Sequence, residues 1–168
     1  MYQLIMVTIM LLALVSCGGE SDQCKYSTPV AIFQGIDKIE NHTFEATGNN
    51  AVEHIFVPSM GMDVELYQSG CNELEQEFRF HIHEALPLNI PPQECAMLTA
   101  VIFDKLSGLS PNLIPLAQWA GAIKENAEAF KYNEKIRLKG TPMQVQLDKV
   151  HQSNSTMLTV IFKETKEE

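Results

Sequence analysis

His81-Ile82-His83 is the stretch of this chain whose residue types and spacing come nearest to metal chemistry. On a strand, alternate side chains share a face, so the two imidazoles would lie on one side about 6.5 Å apart along the chain. That reach suits a single ion, and His54 or Glu84 could complete the set. Met60-Gly61-Met62 adds two thioethers, soft donors of the kind copper(I) selects, while imidazole serves copper or zinc. The plainer reading is a solvated strand face, because Glu75, Glu77 and Arg79 precede the histidines at the same two-residue spacing. The methionines would then cover the edge of a core. The expectation is therefore no cofactor, with copper or zinc at His81 and His83 as the rival.

Two further groups could do chemistry. Lys135, Arg137 and Lys139 alternate as a basic stripe, and Glu73, Glu75 and Glu77 as an acidic one. Cross-strand pairing between the stripes is the simple expectation, at about 0.2–1 kcal/mol for each exposed pair. The functional reading is a docking edge for a charged protein or for peptidoglycan. Cys95 stands near a predicted helix start, where a thiolate is favoured. It also stands where a disulfide partner commonly would, which is the reading taken here. There is no G-x-S-x-G, H-E-x-x-H, P-loop or glycine-rich dinucleotide turn, so the chain is expected not to be an enzyme.

The elements that must position these residues follow from periodicity. Residues 42–47 and 52–57 read as strands around Gly48-Asn49-Asn50, a hairpin signal. Residues 62–68 and 74–83 make a second pair around Ser69-Gly70-Cys71-Asn72. In the latter strand Leu74, Phe78, Phe80 and Ile82 alternate with Glu75, Glu77, Arg79, His81 and His83, one face buried and one wet. Residues 30–39 fit a strand or a short helix equally. Residues 86–92 carry three prolines and form a loop. A helix runs from 94 to 106, with Glu94 in its first turn and Gly108 ending it. After a break at Ser110-Pro111 a second helix reaches Phe130, with Leu116, Trp119, Ala120, Ile123, Ala127 and Phe130 on one stripe. Residues 135–139 return to strand, and 143–150 and 156–163 flank a last hairpin. The predicted class is α+β: an antiparallel sheet of five to seven strands with two helices packed on one face.

The N-terminus carries an address. Leu4 to Val15 is apolar apart from Thr8, too short to span a bilayer, which takes about 20 residues. It matches the apolar core of a secretory signal, with the small residue Ser16 where cleavage needs one. Leu14-Val15-Ser16-Cys17 resembles the lipobox of bacterial lipoproteins. The resemblance covers residues 1–17 and departs from the family in having no Lys or Arg before the apolar run. It implies that residues 1–16 are a signal peptide and that Cys17 is acylated, palmitate-type chains becoming the membrane anchor. Several chains hold stably where one is marginal. Gly18 in place of aspartate implies the outer membrane, facing the periplasm. The rival is an ordinary secretory signal, which the sequons at Asn41 and Asn154 would suit.

Residues 17–29 then read as the acylated cysteine and a polar tether, 30–163 as a single α+β domain, and 164–168 as a frayed charged tail. Lipidation of Cys17 leaves Cys24, Cys71 and Cys95, an odd set. In an oxidising compartment this means one disulfide and one thiol, of open connectivity. The net charge of −9 opposes binding to nucleic acid or to anionic lipid. It is uneven, with 14 acidic and 3 basic side chains in residues 18–104 against 7 and 9 in 105–168. The acidic half lies nearest the anchor, which would have to hold without electrostatic help. The functional expectation is an envelope lipoprotein that binds a protein, of inhibitor, immunity or accessory-subunit type, through Glu75, Glu77, Arg79, His81 and His83. The alternative is a periplasmic metal-handling protein using His81 and His83.

Overall fold

A computed structural model describes residues 24–26, 28–152 and 154–164. The lipobox, the signal segment and the first part of the tether lie outside the described residues. Seven strands form one sheet: β1 (Glu40–Thr47), β2 (Asn50–Val57), β3 (Met62–Ser69), β4 (Glu75–Ile82), β5 (Lys135–Arg137), β6 (Met143–Gln152) and β7 (Ser155–Glu164). Helices α1 (Pro92–Ser107) and α2 (Ile114–Glu125) fall between β4 and β5. The spatial order is β1-β2-β3-β4-β7-β6-β5, with every neighbouring pair antiparallel. The α+β class and the antiparallel sheet agree with the periodicity.

The pleat sorts side chains into two sets. Ile55, Val57, Val64, Leu66, Phe78, Phe80, Val145, Leu147, Leu158, Val160 and Phe162 share one face in register, all fully buried. Asp63, Glu65, Tyr67, Glu77, Arg79, His81, Thr159 and Ile161 share the other, half-buried. Phe103 of α1 meets Phe78 edge-on at 5.0 Å between ring centroids and Phe80 at 5.4 Å, and Trp119 of α2 contacts Phe162. Such edge-to-face pairs add about 0.5–1.5 kcal/mol beyond burial. The lone tryptophan is therefore core packing.

Several boundaries differ from the sequence reading, each for a local reason. Strand β4 ends at Ile82, so His83 lies beyond the strand. The second helix stops at Glu125 rather than reaching Phe130. Asn126 interrupts it: its Nδ2 donates to the Ala122 carbonyl at 2.7 Å, and its Oδ1 accepts from the Lys139 amide at 3.4 Å. An amide side chain that bonds nearby backbone competes with the helix ladder. Gly108 follows α1 at φ −77°, an ordinary right-handed value, so its special freedom is unused. Glu164 belongs to β7 rather than to a frayed tail.

Residues 30–39 are neither strand nor helix but a series of turns that buries Phe33. What holds them is Glu53. In β2 it lies in phase with Ile55 and Val57 and is fully buried. Its carboxylate accepts from the amides of Ile32 and Phe33, both at 2.9 Å, and contacts His42 Nε2 at 2.7 Å. A bulge in β1, with Asn41 at φ +54°, precedes the regular pairing of Thr43 with His54. A buried carboxylate is tolerated only with such partners. Glu53→Ala leaves two amides and an imidazole unpaired, and we expect a loss of about 3–5 kcal/mol in urea unfolding. Loss below about 1 kcal/mol would contradict the clamp.

Candidate functional site

The residue types that promised chemistry gather on the half-buried sheet face, across β2, β3 and β4. Register places Glu65 opposite both His54 and Arg79, Tyr67 opposite Glu77, and Asp63 opposite His81. Arg79 is the hub. Its Nε donates to Glu77 Oε1 at 2.6 Å, its Nη1 donates to the Tyr67 hydroxyl at 3.0 Å, and its guanidinium lies 4.1 Å from the Tyr67 ring centroid. The Tyr67 hydroxyl donates in turn to Glu65 Oε2 at 3.0 Å. Partial burial works to lower the Arg79 pKa, but Glu77, Tyr67 and Glu65 outweigh it and take the group above its ordinary value. Burial, then Glu65, pushes the Tyr67 phenol up. The network therefore holds a permanent cation between the Glu77 and Glu65 side chains.

The histidines divide between different carboxylates. His81 Nε2 lies 3.5 Å and His54 Nδ1 3.6 Å from the same oxygen, Glu65 Oε1. His83, past the strand end, instead reaches Asp63 Oδ2 at 3.1 Å. His81 and His83 are thus not brought onto a common partner. His81 Nε2 is buried and makes no hydrogen bond. Among the described residues no group of three His, Cys, Asp or Glu side chains is arranged to hold a metal ion. Met62 is buried in the core and Met60 packs against it, so both thioethers serve packing. Glu84 sits in the bend after β4.

The stripe pairing is corrected. Glu73 and Glu75 flank Lys163, at 3.5 and 3.4 Å, and do not reach Lys135, Arg137 or Lys139. Topology is the reason: β7 adjoins β4, while β5 lies beyond β6 at the far edge. Glu77 is engaged by Arg79 on its own strand. Lys135, Arg137 and Lys139 form no ion pair among the described residues.

The cysteines resolve as Cys24–Cys71, with Cα atoms 4.4 Å apart, and a buried free Cys95. Cys95 is thus not the disulfide partner it was expected to be. It lies on the inner side of α1, and the Tyr132 hydroxyl, which donates to the Ile90 carbonyl at 2.7 Å, sits 2.9 Å from its Sγ. Burial pushes the thiol up, and Tyr132 and Lys149 offset this only in part, so a nucleophilic thiolate is disfavoured. Burial also raises the Tyr132 phenol.

No protein-family model, curated protein or solved structure matches the chain. The site thus stands on its own chemistry.

Two residues of the structure carried a sequence signal that was passed over. Glu53 falls in the inward phase of Ile55 and Val57. Tyr67 alternates with the apolar Met62, Val64 and Leu66 and so falls in the outward phase, an aromatic on a polar face. Both are visible once register is extended from neighbouring apolar residues.

The raised Cys95 and Tyr132 values carry a pH consequence. Their folded pKa exceeds the unfolded one, so their contribution to stability is complete below the ordinary thiol value of 9.0 and is lost as pH rises through the folded values. Stability should fall from about pH 9 upward. Cys95→Ala should flatten the first part of that fall and Tyr132→Phe the part above the ordinary phenol value of 10.0. Urea midpoints taken across pH 7–11 check this, and an unchanged slope in both variants would contradict it.

Proposed function

We propose that the chain is a membrane-anchored envelope lipoprotein, acylated at Cys17, whose domain acts by binding a protein rather than by catalysis. Its type is that of an inhibitor, an immunity protein or an accessory subunit, in the periplasm at the outer membrane. The reading takes α1 and α2 to cover the core face of the sheet and leave the Arg79 face to the partner. The observation that supports this is the prearranged Arg79–Tyr67–Glu65–Glu77 network, held by cross-strand contacts before any partner arrives. Tyrosine and arginine are the residue types that dominate binding energy at interfaces. Phe56, Met157 and Ile161, half-buried on the same face, supply apolar surface between the charges.

The partner surface comprises Glu75, Glu77, Arg79, His81 and His83, with Tyr67 added from the geometry. A metal-handling role at His81 rests on one observation, the convergence of His54 and His81 on Glu65 Oε1. Zinc or copper titration that leaves the melting temperature and the histidine chemical shifts unmoved removes it.

Two outcomes test the main reading. Cys17→Ser should abolish palmitate labelling and release the chain from the membrane fraction; retained label would overturn the anchor. Arg79→Glu should weaken capture of the envelope partner by about 30-fold or more, the scale of an interfacial hot spot. Charge reversal at Lys105, exposed on α1, serves as the control. Equal affinity of a folded Arg79→Glu protein would rule out this face.

A further inference from the structure

We infer that two copies of the chain pack face to face through the outward side of the sheet, related by a two-fold axis parallel to β4. The inference rests on the reading above that this face is left open to a protein, and it names a second copy of the chain as the occupant. A different protein captured by this face would have to displace that copy.

The charge pattern sets the arrangement. β4 is the middle strand of the seven. On one flank, the outward side chains of β1, β2 and β3 include Glu40, Glu45, Asp63 and Glu65 and no lysine or arginine. On the other flank, those of β7, β6 and β5 include Lys163, Lys135 and Arg137 against Asp148 alone. Glu134, next to Lys135, is taken by Lys131 at 3.2 Å. A two-fold axis along β4 lays the acidic flank of each copy on the basic flank of the other. An axis across the strands lays acidic flank on acidic flank, which like-charge repulsion disfavours.

The rows of the sheet carry the match to single residues. An axis along β4 keeps every row at its own level and exchanges β1 with β5, β2 with β6 and β3 with β7. Each contact then occurs twice, as a closed two-fold interface requires. In the row of Glu77, Glu45 faces the other copy's Lys135, and Tyr67 faces its Ile161. In the row of Arg79, His54 faces Asp148 and Glu65 faces Thr159. In the row of His81, Phe56 faces Val150 and Asp63 faces Met157. None of these pairs opposes like charges. On the axis, Arg79 lies one outward position from Glu77 and faces the other copy's Glu77 diagonally. Glu75 meets its own copy there, each with Lys163 of its own chain beside it at 3.4 Å.

Size and shape agree. None of the outward side chains of the seven strands is buried, whereas their inward neighbours Val64, Leu66, Phe78 and Phe80 are. The central strands β2, β3 and β4 are 8 residues long. At about 4.8 Å between strands and 3.3 Å per residue, seven such strands present about 800 Å². A standard protein interface buries about 800 Å² on each side. Phe56, Tyr67, Met157 and Ile161 supply the apolar part of that surface. On the basic flank, Lys135, Gln146 and Ile161 line a hollow of about 110 Å³, in the row that receives Glu45, Val52 and Tyr67 of the other copy. Two sheets stacked in this way interdigitate their side chains at a separation of about 10 Å.

The test takes the full chain purified in a density-matched detergent, where sedimentation equilibrium should show a dimer. Ile161→Glu, checked for folding by circular dichroism, should weaken it about tenfold or more. Lys105→Glu on α1 should leave it unchanged. Glu45→Lys should weaken it several-fold, and adding Lys135→Glu to that variant should restore it. Within one chain, positions 45 and 135 stand six strand spacings apart, about 29 Å. A short bismaleimide cannot bridge that distance, so a chain carrying both Glu45→Cys and Lys135→Cys should be linked to a second copy, and either substitution alone should give no covalent dimer. A chain that stays monomeric at its highest soluble concentration overturns the dimer and leaves the face to the partner tested by Arg79→Glu. A dimer that ignores Ile161→Glu, or one linked through Glu45→Cys alone, overturns this arrangement. A monomer whose exposed His54 resists diethyl pyrocarbonate overturns the open face itself, and the dimer with it.

Discussion

A carboxylate with no access to water imposes the strictest condition in this molecule. Glu53 points into the apolar side of the sheet, where an unpartnered carboxylate would cost several kcal/mol. The condition is met by the amides of Ile32 and Phe33 and by His42. That requirement explains why residues 30–39 are ordered without being a strand or a helix: their backbone is held by an acceptor on β2 rather than by a ladder. Gln68 repeats the device nearby, donating to the Val30 carbonyl at 3.1 Å. Phe33 can then fill the core as a consequence of a polar contact.

The same logic recurs elsewhere on the same face of the sheet. The segment between β4 and α1 has no ladder of its own, yet its backbone groups are met by side chains. Thr156 Oγ1 accepts from the Leu86 amide at 2.9 Å, and Lys149 and Tyr132 donate to the carbonyls of Leu88 and Ile90. Irregular backbone packed on a core has to be satisfied in this way. These contacts also immobilise Tyr132 beside Cys95, which explains why the free thiol is inert packing rather than a nucleophile.

Strand order decides the electrostatics. The two helices are inserted between β4 and β5, and the chain returns through β5 and β6 so that β7 closes against β4. Lys163 therefore serves the acids at the start of β4, and the basic residues of β5 and its turn are left at an edge. On the half-buried face, Arg79 has acidic neighbours both along its own strand and across to β3. That face sets one arginine among three carboxylates, Asp63, Glu65 and Glu77, each charge at a fixed place in the register, a surface suited to specific recognition more than to general attraction.

Much of this was legible in the order of residues. The alternation of Leu74 to Ile82 with Glu75 to His81 determined a strand with one buried face, and the hairpin signals at 69–72 and 48–50 determined the pairing of β3 with β4 and of β1 with β2, because period and turn chemistry are local properties. Three matters needed the tertiary structure, because each depends on which strands become neighbours. Glu53 became a clamp only when residues 32, 33 and 42 were brought to it. His81 and His83 were drawn to different carboxylates because the strand ended between them. Cys24 found Cys71 and left Cys95 single because a turn 47 residues away in sequence lies beside the start of the fold. Spacing along the chain shows what a side chain can do; which groups it meets is decided by the sheet that folds them together.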